Sequence, residues 1–489
     1  MKKLKKLALG LLTLVLSFCF INNVYAFNKG SIIVNGTNVD KTYEIYKIFD
    51  LTYSGSNVAY TIDSDWENFF LNDGSKYIVS TNTGSLNAIT VGNITKYINI
   101  TDDNVEEFTQ EALIYAASLN GNDGSKEAAG ETLTFDSLSL GYYLVYPVGA
   151  TDIISGNGSI CSLTSTLPQA TVNIKADYPI IEKSVDKQSA DVGQLVQFKI
   201  TGLVPDTTGY KSYIYEINDT MSSGLELDSV VAEFTVKFGT TIIDKEPVYG
   251  ENSFTLTFDM TDYQDYVGET ISITYKVRVT NEAINSDTTK NSVTLTYSNN
   301  PKENTTYTTI PVEIPVSSSG IKVIKVDATD NDIKLDGASF VIKDSAGNYY
   351  QALDSDGKVV TNTTSTENVT LVKWDKDIEK ATVLVTDEAG IITFSGIENE
   401  TYYLVEVEAP QGYNKLTGPV EVKVGYNDDG TNLETTPVIH EKIIENNSGT
   451  ALPSTGGVGT KIFIIVGSLL VVGSSVILIT NKRIMKENK

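Results

Sequence analysis

Short runs of alternating apolar and polar residues, broken by Gly, Asn and Asp, fill most of the chain between its two ends. These runs are rich in Thr, Val, Ile and Tyr, which suit the half-buried surface of a β-sheet. Successive residues of a strand point to opposite faces, so each run offers one face to a core. Many short strands separated by turn residues are typical of β-sandwiches. The pattern predicts an all-β protein built from tandem Ig-like β-sandwich domains.

The 489-residue chain is long enough for about three such domains. We expect the first domain to cover residues 27–178 and the middle domain to cover residues 179–316, beginning at Pro179. The third domain is expected at residues 317–448, after the linker "EIPVSSSG".

One segment of the first domain has helical rather than strand periodicity. It is "DNVEEFTQEALIYAASL", from Asp103 to Leu119. Asp103 and Glu106 stand three residues apart at its start, which is the spacing of a capping box. We therefore predict a short helix that starts at this box.

The two ends of the chain carry targeting signals. The basic "MKKLKK", the apolar run Leu7–Phe20 and the small-residue site before Phe27 predict a signal peptide at residues 1–26. After the third domain, residues 449–489 read as a sorting region. There, residues 461–480 are apolar enough for a transmembrane helix, and the basic tail 481–489 should stay cytoplasmic. The mature chain is therefore expected to be exported and held by its C-terminus.

Charge and rare residues exclude several classes of function. The net charge of −25 argues against nucleic acid, because phosphate binding needs clustered Lys and Arg. Cys19 leaves with the signal peptide, so Cys161 has no partner for an intramolecular disulfide. The single histidine, His440, offers neither a Ser-His-Asp triad nor a histidine metal cluster. We expect no enzyme, no metal and no cofactor.

A pentapeptide precedes the apolar span and consists of Leu452, Pro453, Ser454, Thr455 and Gly456. With the signal peptide, the apolar span and the basic tail, this "LPSTG" resembles the sorting signal of Gram-positive sortase substrates. The resemblance implies that a sortase cysteine cleaves between Thr455 and Gly456 and that Thr455 is then joined to an amine. Pro453 pre-sets an extended peptide of low entropy for the groove of the enzyme.

The interior of the chain resembles the backbone (major) pilins of Gram-positive sortase-assembled pili. "YYLVEVEAPQGYN" (402–414) is similar to their E-box, although Val407 stands where the family usually has Thr. "KVDATDNDIKLDGASFVI" (325–342) resembles the opening of a CnaB-like domain with the SpaA-like prealbumin fold. "IYKIF" resembles the opening of the family's first domain, and "YEINDTMSSGLEL" and "NSVTLTYSN" resemble its middle domain. The resemblance implies a cell-wall-anchored shaft subunit stabilised by Lys–Asn isopeptide bonds.

The E-box strand raises a question that this chemistry answers. Leu404 and Glu406 are two residues apart and share a face, so a strand that buries Leu404 also buries Glu406. A buried carboxylate is costly unless it is paired or neutral. Burial favours a neutral lysine amine and a protonated acid. Such an amine can attack an Asn carboxamide while the acid donates to the carbonyl and shuttles a proton to departing ammonia.

In the middle domain, a lysine, an acid and an asparagine each alternate with apolar residues. They are Lys183 in "IIEKSV", Asp219 in "YIYEIND" and Asn291 in "NSVTLTY". Each therefore shares a face with core positions of an early, a middle and a late strand. We predict a Lys183–Asn291 isopeptide bond promoted by Asp219.

In the third domain, Glu406 is the expected acid, and Asn446 in "IIENNSGTALPSTGG" matches the asparagine that the family has near its sorting signal. The lysine is ambiguous. In "IKVIKVD", both faces carry apolar residues, so alternation does not choose between Lys322 and Lys325. The resemblance to related domains with this opening favours Lys322.

The first domain carries a different lysine function. Tyr146 stands at the place of the E-box acid, so we expect no bond of the E-box type there. "TVNIKADYP" loosely matches the lysine-bearing pilin motif, and alternation turns Lys175 outward. We expect Lys175 to be the amine that joins subunits, with Lys41 and Lys47 as alternatives.

The sequence thus predicts a shaft subunit that polymerises head to tail, as a heterologous interface that does not close forms a filament. The implied partners are a class C sortase, other pilin subunits, a housekeeping sortase with cell-wall precursor, and a host surface ligand. The alternative is a monomeric wall-anchored adhesin or a minor (ancillary) pilin. Immunoblots that show only monomer would favour this alternative.

Overall fold

The structure is a computed structural model that describes residues 29–54, 57–150, 160–302, 304–426, 431 and 436–449. The predicted signal peptide, the LPSTG motif, the apolar span and the basic tail lie outside these residues. The described chain folds mainly into β-sheets in three successive bodies, which confirms the all-β class with tandem domains. No helix in this part of the chain is long and apolar enough to cross a membrane.

The first body combines β-sheets with a helical layer. Its described strands are β1 (Gly30–Asn35), β2 (Thr42–Ser54), β3 (Asn57–Ile62), β4 (Ile78–Val79), β5 (Ile89–Val91), β6 (Ile94–Ile98), β7 (Gly124–Glu127), β8 (Thr132–Leu138), β9 (Gly141–Pro147), β10 (Ile160–Leu163) and β11 (Gln169–Asn173). One sheet has the order β11-β1-β8 and the other β10-β9-β2-β3, with β7 paired to β2. Strands β4, β6 and β5 form a small third sheet.

Strand β9 and the first half of β2, from Tyr43 to Phe49, contribute buried residues on both faces. One face packs against the β1 sheet, and the other packs in an aromatic core under helices α1 (Glu67–Leu71) and α2 (Val105–Ala116). Helix α2 is the predicted helix, but the capping box at its start was wrong. The N-cap is Asn104, whose side chain accepts a hydrogen bond from the backbone N–H of Thr101 at 2.7 Å instead of capping the helix. The side chain of Asn104 therefore stabilises the turn before the helix rather than the first turn of the helix.

The middle body is a sandwich of two sheets. Its described strands are β12 (Glu182–Val185), β13 (Leu195–Leu203), β14 (Ile214–Met221), β15 (Leu225–Glu226), β16 (Thr235–Phe238), β17 (Thr241–Ile242), β18 (Val248–Gly250), β19 (Ser253–Asp259), β20 (Thr270–Val279), β21 (Lys290–Ser298), β22 (Thr306–Thr308) and β23 (Val312–Pro315). The first sheet has the order β12-β13-β20-β16-β17, with β15 on β20. The second has the order β18-β19-β14-β21-β22, with β23 on β21.

The core between these two sheets follows the alternation of the sequence. Strand β20, "TISITYKVRV", is the simplest example, because every second residue is buried and those between are not fully buried. Its inward residues are Ile271, Ile273, Tyr275, Val277 and Val279. They pack against inward residues of β14 and β21 in one continuous core.

The third body is also a sandwich. Its described strands are β24 (Ser319–Asp327), β25 (Ser339–Lys343), β26 (Tyr349–Leu353), β27 (Leu371–Asp375), β28 (Leu384–Val385), β29 (Ile391–Ile397), β30 (Thr401–Glu408), β31 (Val420–Lys423) and β32 (Ile439–Asn446). One sheet has the order β29-β24-β32, in which β32 pairs with β24 in parallel. The other has the order β27-β26-β25-β30-β31, with β28 on β25. Short 3₁₀ helices among the described residues are Ser64–Trp66, Ser75–Tyr77, Met260–Tyr266, Asn281–Ala283 and Ile378–Lys380.

The proposed domain boundaries fall between β11 and β12 and between β23 and β24. One loop of the middle domain crosses the second boundary, because Val192 lies in the apolar core of the third domain. Its N–H donates to the carbonyl of Gly396 at 2.9 Å, and its carbonyl accepts from the N–H of Val372 at 2.8 Å. The middle and third domains are therefore joined by packed core as well as by the linker.

Candidate cross-linking sites

The middle-domain site lies between the two sheets of the sandwich. Strand β12 of one sheet carries Lys183, whereas neighbouring strands β14 and β21 of the other carry Asp219 and Asn291. Asn291 pairs with Met221, two residues beyond Asp219, so both polar side chains point to the same face. All three residues are buried, as the alternation predicted.

A fourth residue joins this group through its hydroxyl. The ammonium of Lys183 donates to Oδ2 of Asp219, and both side chains are fully buried. The hydroxyl of Tyr275, on β20, donates to the same Oδ2 at 2.9 Å. Nδ2 of Asn291 donates to that hydroxyl at 2.9 Å. The site is thus one connected network that reaches from the lysine to the asparagine.

Aromatic rings surround the network. The ammonium of Lys183 lies 5.3 Å from the ring centroid of Phe198 and 5.9 Å from that of Tyr275. Phe254 packs edge-on against Tyr275, with ring centroids 4.9 Å apart. These rings separate the lysine and the acid from water, so neither charge is solvated.

Burial shifts the two ionisable groups toward their neutral forms. Burial lowers the pKa of Lys183 from 10.5 to about 8, although the Asp219 carboxylate opposes the shift. Burial also raises the pKa of Asp219 above 3.8, against the lysine, tyrosine and asparagine contacts that stabilise its charge. The free-energy cost of moving a proton from the lysine to the acid is therefore reduced. A neutral amine beside a protonated acid is the state that attack on an amide requires.

The third-domain site uses the same three residue types. Lys325 lies on β24, Asn446 lies on β32 and Glu406 lies on β30 of the opposite sheet. Nδ2 of Asn446 donates to Oε1 of Glu406 at 2.8 Å. The ammonium of Lys325 donates to the backbone carbonyl of Ile444 at 3.0 Å. All three site residues are buried, which confirms that the E-box strand aims its acid inward.

The turn after the E-box strand holds the acid in place. The N–H of Tyr413 donates to the carbonyl of Pro410 at 3.1 Å, and Gly412 between them has φ +85°. Such a turn favours glycine at this position. It returns the chain so that the N–H of Leu416 donates to Oε2 of Glu406 at 2.7 Å. The second carboxylate oxygen is thus bound to backbone while the first contacts the asparagine.

The two candidates for the third-domain lysine, Lys322 and Lys325, differ in burial, and the difference favours Lys325 over the preferred Lys322. The side chain of Lys322 is 32% exposed and forms an ion pair with Glu441 at 2.7 Å. Lys325, in contrast, is fully buried in the core. Burial lowers its pKa to about 8, although Glu406 and two other carboxylates oppose the shift. The two lysines lie three residues apart on one strand and so face opposite sides, and Lys325 takes the inward side.

Three lysines of the first domain differ in their surroundings. Lys175 follows β11 and is exposed, as alternation predicted. Lys41 donates to the hydroxyl of Tyr297 in the middle domain at 2.7 Å. Lys47 forms ion pairs with Asp50 at 2.8 Å and Asp63 at 3.3 Å. Lys41 and Lys47 are thus engaged in contacts that would have to break before either amine could attack another chain.

Sequence reasoning missed two parts of the sites. The inward position of Tyr275 could have been predicted, because its alternation with Ile273 and Val277 places it on the core face of β20. The contact of the Leu416 N–H could not, because it depends on how the turn folds back. At the place of the E-box acid in the first domain, Tyr146 is buried in the helical core.

Two segments of the chain match family models. Residues 319–437 match the SpaA prealbumin-like fold domain, and residues 444–484 match the LPXTG cell wall anchor motif. The first match covers most of the third sandwich, and the second covers the pentapeptide and the apolar span. The chain is therefore a cell-wall-anchored surface protein of the Gram-positive type.

Similarity extends beyond these segments. A fimbrial subunit type 1 of Actinomyces viscosus is 25% identical over 405 residues, which cover 70% of this chain and 73% of the relative. The pilus 2b backbone protein of group B streptococcus is 26% identical with a TM-score of 0.42, over 56% of this chain and 99% of that one. The T6 backbone pilin of serotype M6 Streptococcus pyogenes is 16% identical with a TM-score of 0.47, over 86% and 98%.

Within the cell-wall-anchored class, the prealbumin-like domain, the anchor motif and the similarity to a fimbrial subunit support a sortase-assembled pilin of the backbone type. The anchor motif implies a sortase as a partner and the surface of a Gram-positive cell as the location. The matches confirm the SpaA-like prealbumin fold and the LPXTG anchor that the motifs predicted.

Proposed function

We propose that this chain is a shaft subunit of a sortase-polymerised pilus and that it is stabilised by two intramolecular isopeptide bonds. Asp219 promotes the bond between Lys183 and Asn291, and Glu406 promotes the bond between Lys325 and Asn446. The observation that supports the proposal is that each of two sandwich cores buries a lysine, an acid and an asparagine together. Burying a charged lysine and a charged acid costs free energy. Bond formation turns the lysine into an amide and leaves the acid neutral, so neither buried charge remains.

Both bonds follow one balanced reaction. The lysine transfers one proton to the acid, and its neutral nitrogen attacks Cγ of the asparagine. The bond from Cγ to Nδ2 breaks, and Nδ2 takes up a proton and leaves as ammonia. The fold supplies proximity and the acid supplies the proton transfers, so no cofactor is required.

Intact mass tests the bonds directly. We expect the purified ectodomain, residues 27–448, to weigh about 34 Da less than its sequence, because each bond releases one ammonia of about 17 Da. The matched control is the Asn291→Ala, Asn446→Ala double variant, which should have the mass of its own sequence. A wild-type chain with its unmodified mass would overturn the proposal.

We further propose that Lys175 is the amine that joins one subunit to the next. Sortase leaves Thr455 as an acyl-enzyme, and an amine must resolve it. The exposure of Lys175 next to the boundary between the first and middle domains supports this choice. We assign chain growth to a class C sortase, and transfer to cell-wall precursor to a housekeeping sortase. A host surface ligand is the remaining proposed partner.

Immunoblots of cell-wall extracts test the choice of lysine. Lys175→Ala should abolish the high-molecular-weight ladder and leave wall-anchored monomer, whereas Lys41→Ala and Lys47→Ala should keep the ladder. Deletion of Leu452–Gly456 should remove both the ladder and the anchored monomer. A ladder in the Lys175 variant would assign polymerisation to another lysine, and no ladder in the wild type would favour the adhesin or minor pilin alternative.

A further inference from the structure

The hydroxyl of Tyr275 lies between the acid and the leaving nitrogen of the middle-domain site. It donates to Oδ2 of Asp219 and accepts from Nδ2 of Asn291, both at 2.9 Å. A tyrosine hydroxyl has one proton. When that proton goes to the carboxylate, the amide must offer an N–H to the hydroxyl. Tyr275 therefore fixes the carboxamide with its nitrogen toward the hydroxyl, and Oδ1 of Asn291 has no hydrogen-bond partner within the described residues.

Bond formation requires a proton at this same nitrogen. The amide nitrogen leaves as neutral ammonia only after it has taken up a proton, and a buried site must supply that proton from its own groups. Asp219 holds the proton it received from Lys183, with which it forms an ion pair. The tyrosine hydroxyl connects this acid to the leaving nitrogen by two hydrogen bonds of normal length.

We propose that Tyr275 relays the proton from Asp219 to Nδ2 of Asn291, an inference that rests on the proposed Lys183–Asn291 bond. The protonated acid donates to the oxygen of Tyr275 while the tyrosine gives its own proton to Nδ2. The attacking nitrogen of Lys183 returns a proton to the acid as the bond from Cγ to Nδ2 breaks. The products are the amide, ammonia, a neutral Asp219 and the restored Tyr275 hydroxyl, so all six exchangeable protons of the reacting groups are conserved.

The surroundings of Tyr275 hold its ring in place. The ring is fully buried and stacks on Phe198 and Phe234, with centroids 5.9 and 5.7 Å apart. The third-domain site differs, because Nδ2 of Asn446 contacts Oε1 of Glu406 directly at 2.8 Å. That acid can transfer its proton without a relay, so the third domain is an internal reference for the middle domain.

The test measures the formation of both bonds in the same molecules. The full chain is made by cell-free synthesis, samples are taken over time, and the cross-linked peptides of each site are quantified by mass spectrometry. In the Tyr275→Phe variant, we expect the Lys183–Asn291 bond to form at least about 100-fold more slowly, in the range that general acid catalysis contributes. The Lys325–Asn446 bond should form at the wild-type rate.

Tyr215→Phe is the matched control. Tyr215 is also buried in the middle-domain core, and its hydroxyl has no hydrogen-bond partner in the described part of the chain. This variant should form both bonds at the wild-type rate. An unchanged rate at Lys183–Asn291 in Tyr275→Phe would overturn the relay alone. Absence of any Lys183–Asn291 bond in the wild type would instead overturn the proposed function of this site.

A second comparison separates chemistry from folding. The Asn291→Ala variant cannot form the bond, so adding Tyr275→Phe to it shows what loss of the hydroxyl does to the fold. Equal resistance of these two variants to trypsin, together with the slowed bond, supports the relay. Lower resistance of the double variant would attribute the slow bond to impaired folding and overturn the relay.

Discussion

The middle-domain and third-domain sites contain the same three residue types but connect them differently. In the middle domain, the acid forms an ion pair with the lysine and reaches the asparagine through Tyr275. In the third domain, the acid contacts the asparagine directly, and Lys325 donates to backbone carbonyls. The set of residues therefore does not determine the order in which protons move, and each core arranges that order through its own contacts.

The two proposed bonds also join different parts of a sandwich. Lys183 on edge strand β12 and Asn291 on β21 belong to opposite sheets, so their bond would hold the two sheets together. Lys325 and Asn446 lie on the paired strands β24 and β32, so their bond would reinforce one edge of a single sheet. Strand β32 immediately precedes the sorting region, and a pull from the wall anchor would reach this edge first.

Of the changes that test the difference between the two sites, replacing the acids should have the largest effect. We expect Asp219→Ala to raise the ectodomain mass, relative to its sequence, by one ammonia, because only the middle-domain bond is lost. Glu406→Ala should do the same for the third-domain bond, and the double variant should retain both ammonias. Intact mass and peptide mapping measure this. If one acid variant lost both bonds, the two sites would not be independent.

Replacing the two candidate lysines of β24 should sharpen the assignment of the third-domain bond. Lys325→Ala should abolish this bond, because Lys325 is the buried amine. Lys322→Ala is the matched control and should leave the bond intact. It removes only an ion pair at the surface, which contributes at most about 1 kcal/mol. A bond that survives in Lys325→Ala and disappears in Lys322→Ala would reverse the assignment.

Replacing each asparagine should distinguish the bond that joins the two sheets of the middle domain from the bond that reinforces one sheet edge of the third domain. The proposed bonds close loops of roughly 110 and 120 residues, so each contributes about 5 kcal/mol on the chain-entropy model for cross-links. Asn446→Ala should also increase hydrogen exchange along β32, which pairs only with β24 among the described strands. Asn291→Ala should leave exchange along β21 low, because β21 lies between β14 and other strands. Equal local exchange in the two variants would contradict this difference.

The sequence predicted that four site residues face inward, because strand alternation is a local pattern. They are Lys183, Asp219 and Asn291 in the regular runs of the middle domain and Glu406 in the E-box strand. The sequence could not choose between Lys322 and Lys325. Both faces of "IKVIKVD" carry apolar residues, and only the packing of β24 between β29 and β32 decides which face is inside. Alternation places Tyr275 on the core face of β20, but its contacts with Asp219 and Asn291 were out of reach. They depend on which side chains meet across two sheets, and no local pattern encodes that distance.

Changing the pH should have the smallest effect, and it should have the same sign at both sites. In Asn291→Ala, Lys183 keeps a free amine, and burial lowers its pKa to about 8 in the folded domain against 10.5 when exposed. Between these two values the unfolded chain binds more protons than the folded one, so the stability of the unlinked domain should rise with pH.

The cross-linked wild type offers the reference for this measurement, because its lysine nitrogen has become an amide and no longer titrates. The difference in melting temperature between wild type and Asn291→Ala should therefore shrink from pH 8 to pH 9.5, while other titrating groups cancel. Asn446→Ala should behave in the same way, because burial also lowers the pKa of Lys325 to about 8. A difference that is constant or grows with pH would mean that the unlinked lysine is not held toward its neutral form, and it would remove the electrostatic basis shared by the two sites.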